Sequence, residues 1–332
     1  MGLTVDAGPV SLDPGRVASV LGPVLGGAVD VVEVRRLSAG ASRLTWSVDV
    51  RSGGVLRRLV LQRERGEGLG RSEMLTEAAL IRAAGAAGVP VPTVVAADAD
   101  AAPLGGAYIV TERVDGETIP RRILRDPALG PARAGFAAQC GEILTRIHAI
   151  PLSRLPDLPR PDPVDAIMEM LDNTGQSRPA FELGLLWLRE HPPRERPATL
   201  VHGDFRNGNL VVGPDGIRAV LDWELAHIGN PVQDLGWLCA RPWRWGAAPT
   251  VGGIGRVDEL LAAYSPADGP VTAVELFWWK LLSSVSWGVM CLEQARVHLS
   301  AEQRSVELAV LGRLSSEMEY DVMRMVRDGH RL

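Results

Sequence analysis

Residues 200–237 read LVHGDFRNGNLVVGPDGIRAVLDWELAHIGNPVQDLGW, and this stretch decides the fold. Leu200 and Val201 look like the end of a buried strand that delivers His202, Gly203 and Asp204. Asn209 follows five residues after Asp204, and a short strand is expected over 209–212. Pro214-Asp215-Gly216 marks a turn, and 217–222 reads as a second strand ending on Asp222. The expected unit is a β-hairpin with one carboxylate in its entry loop, another at its exit and an amide between them. Asn209 and Asp222 are oxygen ligands of the kind a hard divalent cation such as Mg²⁺ takes, with phosphates and water completing the shell. Asp204 is then free to orient a substrate hydroxyl and accept its proton. A single Asp at a strand end is ordinarily a turn or helix cap. Here HGDxxxxN, two short strands, Asp222-Trp223-Glu224 and Asp234 occur together, and the set points to chemistry.

Upstream the chain is strand-rich. Residues 14–28 read as a helix, with Asp13 as N-cap and Pro14 in its first turn. Strands are expected over 31–37, 44–50 and 56–64, the last two joined by Ser52-Gly53-Gly54. Residues 38–42, SAGAS, form a small-residue loop between the first two. A helix over 72–87, with Ser72 as its cap, ends before the Val89-Pro90-Val91-Pro92 run, and another strand is expected over 107–112. Downstream of Asp115-Gly116 helical patterns cover 131–150, 164–173, 179–191 and nearly everything from 231 onward. Strands first and helices afterwards predict two lobes joined near 111–117.

Composition narrows the function classes. At 332 residues the chain has room for about two domains or one large bilobal one. A formal charge of −5 with no basic block argues against nucleic acid as a partner. Cys140, Cys239 and Cys291 are odd in number and widely spaced, which suggests neither a disulfide framework nor a metal site. No apolar run approaches the length of a membrane span. These readings predict a cytoplasmic protein, a monomer or homodimer, without a membrane partner.

HGDFRNGN, followed by LDWE and GNPVQDLGW, resembles the aminoglycoside phosphotransferase and choline kinase-type small-molecule kinases. Within these it is similar to the branch related to the kinase domain of acyl-CoA dehydrogenase fusions. The resemblance runs over roughly 30–290. It implies an α+β, protein kinase-like bilobal fold, with a mainly antiparallel N-lobe over 1–112 and a helical C-lobe over 113–332. It implies ATP or GTP and Mg²⁺ as cofactors, and a small hydroxylated substrate as partner. By the same resemblance Asp204 is the catalytic base, Asn209 and Asp222 are the Mg²⁺ ligands, and His202 braces the catalytic loop. Asp234 matches the buried Asp that receives backbone N–H bonds from that loop. Glu112 and Val114 match the hinge positions that bond the adenine edge, and Glu77 matches the glutamate of the N-lobe helix.

The departures lie in the N-lobe. Kinases hold the phosphates with a lysine on the third strand, paired to the helix glutamate. Here Gln62 occupies that slot, on one strand face with Val60, and Lys280 is the sole lysine in the chain. Arg43, Arg63 and Arg65 are candidate replacements, or else solvated charge. Ser38, Gly40 and Ser42 are placed to cap phosphates, although an ordinary hairpin turn explains them equally. His148 reads as packing or helix-end capping, and His227 as structural or close to the site. Trp237, Trp243, Trp245, Trp278, Trp279 and Trp287, with Arg241, Arg244 and Arg256, suit either a core with surface charge or an acceptor pocket. The pocket reading fits an anionic alcohol such as a hydroxyacyl-CoA rather than a polycationic aminoglycoside. The expected activity is γ-phosphoryl transfer to a hydroxyl of a small molecule. Its competitor is a catalytically weak pseudokinase that senses nucleotide or acts as a scaffold.

Overall fold

Asp13 caps α1 (Pro14–Leu25) by accepting the Gly15 N–H at 2.8 Å, and Pro14 supplies the fixed φ of the first turn. A computed structural model describes residues 12–39, 43–64, 71–302 and 304–329, which fall into two compact units. The N-terminal unit runs to Arg82 and adds Pro92–Val114; the other holds Ala83–Val91 and everything from Asp115.

In the N-terminal unit β1 (Val29–Ala39), β2 (Arg43–Ser52) and β3 (Val55–Glu64) form an antiparallel meander. After α2 (Arg71–Ala86), β4 (Val94–Asp98) and β5 (Tyr108–Glu112) complete a five-stranded antiparallel sheet in the order β1-β2-β3-β5-β4. Strand alternation sorts the side chains. Leu44, Trp46, Val48 and Val50 of β2, with Leu59 and Leu61 of β3, pack in one core with Val17 and Leu21 of α1. On the opposite face Met74 and Ala78 of α2 pack on Ala107 and Ile109. Ser38 belongs to β1, paired with Thr45, where a loop was expected. Ser72 falls within α2, which already includes Arg71.

The second unit is mainly helical. In chain order it holds α3 (Pro120–Arg125), α4 (Gly130–His148), α5 (Pro163–Asn173) and α6 (Pro179–Glu190). Then come β6 (Thr199–Val201), β7 (Leu210–Gly213), β8 (Gly216–Val220), β9 (His227–Gly229) and α7 (Val232–Leu238). The remainder comprises α8 (Val257–Ala263), α9 (Ala273–Leu299), α10 (Val306–Leu311) and α11 (Leu314–Asp328). The capping box of Thr272 and Glu275 starts α9, and α5, α6, α7, α10 and α11 all pack on it. Arg196 anchors the same end: its fully buried side chain bonds Glu275 at 2.9 Å and Asp268 at 2.8 Å.

Two short antiparallel pairs, β7–β8 and β6–β9, carry the ends of the motif stretch. Three expectations change here. β9 pairs with β6 although nothing in 227–229 stood out as a strand, and β8 stops at Val220, so Asp222 stands on the loop beyond it. Residues 239–256 are not an α-helix; a single 3-10 turn over Arg241–Arg244 leads to a Val251–Gly255 bridge.

Candidate active site

The loop after β6 is held from below before any reactive group is placed. Gly203 has φ +84°, and a Cβ there would collide with the Leu225 carbonyl, so only glycine fits the bend. The Asp234 carboxylate, in the first turn of α7, accepts the His202 and Gly203 N–H groups at 2.9 Å each. It also accepts from His148 Nε2 at 2.9 Å, and His148 Nδ1 lies 2.8 Å from the Tyr264 hydroxyl. Burial works against ionisation of Asp234, but the bonds from His148 and the loop amides outweigh it and hold the carboxyl below the usual range.

His202 closes the loop from inside. Its Nδ1 accepts the Asp204 N–H at 3.2 Å and its Nε2 sits 3.1 Å from the Leu221 carbonyl, a pattern that requires the Nε2–H tautomer. Burial keeps this imidazole below its ordinary value despite the nearby Asp234 and Asp204 carboxylates. His202 is therefore a neutral brace.

Asp204 emerges from that brace nearly buried, at 8% exposure. Its Oδ1 accepts from Arg206 Nε at 2.8 Å and from Trp237 Nε1 at 2.7 Å, while Oδ2 accepts from Asn209 Nδ2 at 2.6 Å. A carboxylate has about four lone-pair sites, so these donors leave one, on Oδ2. Asn209 Nδ2 also donates to the Asp204 carbonyl at 3.1 Å. That fixes the amide flip and turns Oδ1 into its free-standing acceptor end. Leu221 joins the two halves, donating its N–H to the Asn209 carbonyl at 2.8 Å. Asp222 follows in the left-handed region, φ 67°, a strained position for a non-glycine residue that clusters at functional sites. Asp204 thus bonds both His202 and Asn209, and Asp222 follows Leu221, which is the shared partner of His202 and Asn209. The Asn209 side-chain oxygen and the Asp222 carboxylate are a set of oxygen donors, linked along the chain through Leu221. That set suits Mg²⁺, which keeps several waters and phosphates rather than a protein cage. Among the described residues no cluster of three or more His, Cys, Asp or Glu forms such a cage.

Beyond Asp204 the tryptophans divide. Trp237, Trp243 and Trp287 form one cluster, with ring centroids 5.2 and 4.8 Å apart. The Arg206 guanidinium lies over Trp243 at 4.5 Å from its centroid. The indole N–H groups of Trp243 and Trp287 are buried without a partner. Trp278 and Trp279 belong to a different contact, Trp278 Nε1 donating to the Leu188 carbonyl, and Trp245 is 40% exposed. Arg256 is an exposed partner of Asp258.

In the N-terminal unit Val60 and Gln62 are half-buried on the α2 face of β3, paired in register with Ser47 and Thr45. Glu77 forms an ion pair with Arg43. Glu112 ends β5 in a surface pair with Arg57, and Val114 lies two residues farther on. Ser38 is in β1, whereas Gly40, Ser42 and Arg65 lie outside the described residues. Arg63 projects to the α1 face, away from Gln62, where it bonds the Leu104 carbonyl and lies over Trp46 at 5.3 Å.

The phosphotransferase enzyme family model matches residues 33–299. The chain belongs to this family. Mouse acyl-CoA dehydrogenase family member 10 is 33% identical over 174 residues, which is 48% of this chain and 16% of the mouse protein. The chain therefore corresponds to a small part of that relative's length. A Ralstonia eutropha JMP134 protein, provisionally named an aminoglycoside phosphotransferase, superposes with TM-score 0.73 at 21% identity, covering 95% of this chain and 99% of that one. The structure of aminoglycoside 2'-phosphotransferase-IIIa, solved with GDP, gives TM-score 0.63 at 14% identity over 88% and 93%. These likenesses show the fold, which is protein kinase-like.

In this phosphotransferase family member His148, Tyr264 and Arg206 join the site without having been expected there, and Trp237, expected as core or acceptor wall, reaches Asp204. His148 carried a signal. It falls four residues after Leu144 on the buried face of α4, where a polar side chain needs a partner. Tyr264 carried none, because its partner lies 116 residues away.

Proposed function

We propose that the protein moves the γ-phosphoryl group of ATP or GTP to a hydroxyl of a small molecule, with Mg²⁺ as cofactor. The observation that carries this reading is the Asp204 carboxylate, held by Asn209, Arg206 and Trp237 with one Oδ2 lone pair left over. That lone pair takes the hydroxyl proton as the acceptor oxygen bonds to phosphorus. The bond from phosphorus to the β–γ bridging oxygen breaks, and its electron pair leaves on the nucleoside diphosphate. Asn209 and Asp222 would hold Mg²⁺, which when bound neutralises phosphate charge. His202 keeps the loop in register. In the other unit the reading assigns the Glu112 carbonyl and Val114 amide to the adenine edge, Val60 and Gln62 to the nucleotide face, and Ser38, Gly40 and Ser42 to the phosphates.

The acceptor in this reading is an anionic alcohol such as a hydroxyacyl-CoA. Supporting it, the Trp237–Trp243–Trp287 cluster supplies an apolar wall. Arg241 pairs with the buried Asp321, and Arg244 feels Asp321, Arg241 and Arg324 electrostatically, while Lys280 feels Arg244 and Arg324. Two arginines beside one carboxylate, with Arg324 and Lys280 close to Arg244, favour an anionic ligand. The acyl-CoA dehydrogenase name of the mouse relative fits the same substrate class.

The test is release of nucleoside diphosphate with hydroxyacyl-CoA thioesters and kanamycin as parallel acceptors. Asp204→Asn is expected to lower turnover at least ~10²-fold with nucleotide affinity unchanged. Turnover within about threefold of wild type removes Asp204 from the mechanism. Efficient use of kanamycin overturns the anionic acceptor.

A further inference from the structure

We propose that Arg43, delivered from β2, is the phosphate-binding cation of the N-terminal unit, replacing the third-strand lysine of kinases. The inference rests on the nucleotide reading above and adds the residue that meets the phosphates.

The sheet register makes the argument. Directly opposed residues of an antiparallel pair share a face. Thr45 opposes Gln62 and Arg43 opposes Glu64, so Arg43, Thr45, Gln62 and Glu64 all project to the side away from α1. That is the α2 side, where Glu77 resides, and Arg43 Nη1 pairs with Glu77 Oε2. The pair is sequestered, with side-chain exposures of 12% and 3%. Gln62, two residues along and one strand over, carries no charge. Arg43 therefore reproduces the cation–glutamate pair of a kinase N-lobe, with the cation moved one strand across.

Among the described residues, Arg113 reaches the same face but is held by Ser47 and Asp49, and Arg58, opposite Asp49, is exposed. Arg63 alternates to the α1 face and is taken up by Leu104 and Trp46. Lys280 belongs to α9 in the other unit. Guanidinium chemistry suits the task. Its planar fork has five N–H donors, so one edge can hold a carboxylate while another meets phosphate oxygens. Glu64 is the directly opposed partner of Arg43 across the strand pair and is buried to 9% exposure. A buried ion pair adds little stability by itself, so a ligand that needs the charge gives this one a role that stability does not.

Calorimetric titration of wild type and variants with Mg·ATP and with adenosine separates a phosphate contact from a structural brace. Arg43→Gln is expected to weaken Mg·ATP at least about tenfold, as loss of a charge-assisted hydrogen bond does, and to leave adenosine affinity unchanged. Arg327→Gln, which removes an exposed cation of α11 in the other unit, is expected to stay within about threefold for both. The double variant Arg43→Met/Glu77→Leu exchanges the buried pair for apolar side chains, which spares folding, and is expected to show the same selective loss. Unchanged Mg·ATP affinity in either Arg43 variant overturns the proposal. So does an equal loss of ATP and adenosine. Wild-type protein that binds neither ATP nor GTP overturns the nucleotide reading itself.

Discussion

His202 spends both ring nitrogens on the loop it braces, and that makes it a source of acid sensitivity. Its folded-state pKa lies below the ordinary 6.5 because the charged form is buried. The unfolded chain therefore binds more protons as pH falls below 6.5, and stability is lost on acidification. This contribution is fully present above 6.5 and declines as pH drops toward the folded value. Asp234 acts lower, since its depressed carboxyl contributes stability above 3.8 that is lost only below it. Thermal melting of wild type is expected to fall between pH 6.5 and 5, and the fall is expected to shrink in His202→Asn. Parallel pH slopes for the two proteins would show that the imidazole is not the group that titrates. The loop position of His202 was legible from its place in HGD. Its neutral state was not, because burial arises only when Phe205 and Trp223 close around the ring.

Short elements place the chemistry here, and their geometry depends on one glycine. β6 ends at Val201, and Gly203 turns the chain beneath Leu225 at a φ that other residues rarely adopt. In Gly203→Ala the new methyl meets the Leu225 carbonyl and the backbone is strained. The combined cost is expected to be about 2–4 kcal/mol, mostly from steric overlap. Chemical denaturation checks it, and a loss under about 1 kcal/mol would mean the loop relaxes freely. Longer elements were readable in advance. Asp13-Pro14 started α1, and the Ser52-Gly53-Gly54 turn joined β2 to β3. β9 was not readable, because three residues carry no period and its pairing with β6 is a long-range choice. For the same reason β8 stopped short of Asp222. The left-handed backbone of Asp222 breaks the ladder, a conformation that the apolar run before it does not reveal.

For the whole molecule, a ligand that binds only the folded state raises the melting temperature by mass action. At one hundred times its Kd, Mg·ATP is expected to add about 2.7 kcal/mol. That amounts to a rise of several degrees in melting temperature. Asp222→Ala is expected to erase the Mg²⁺-dependent part of the rise, since it removes the anionic oxygen ligand. Differential scanning fluorimetry with ATP, in Mg²⁺ and in chelator, checks both. Melting indifferent to nucleotide favours the scaffold reading over the enzyme.

Residues 200–237 alone determined the family and the kinase-like fold, and marked Asp204, Asn209 and Asp222 as the groups to examine. Local pattern suffices there because loop chemistry, turn residues and strand alternation act over a few neighbours. Tertiary structure alone decided which side chains complete the site. Trp237 reaches Asp204, His148 reaches Asp234, and Tyr264 reaches His148. These partnerships join charges and hydrogen-bond donors far apart in sequence. They form only once packing has excluded water and left each buried polar group needing a partner.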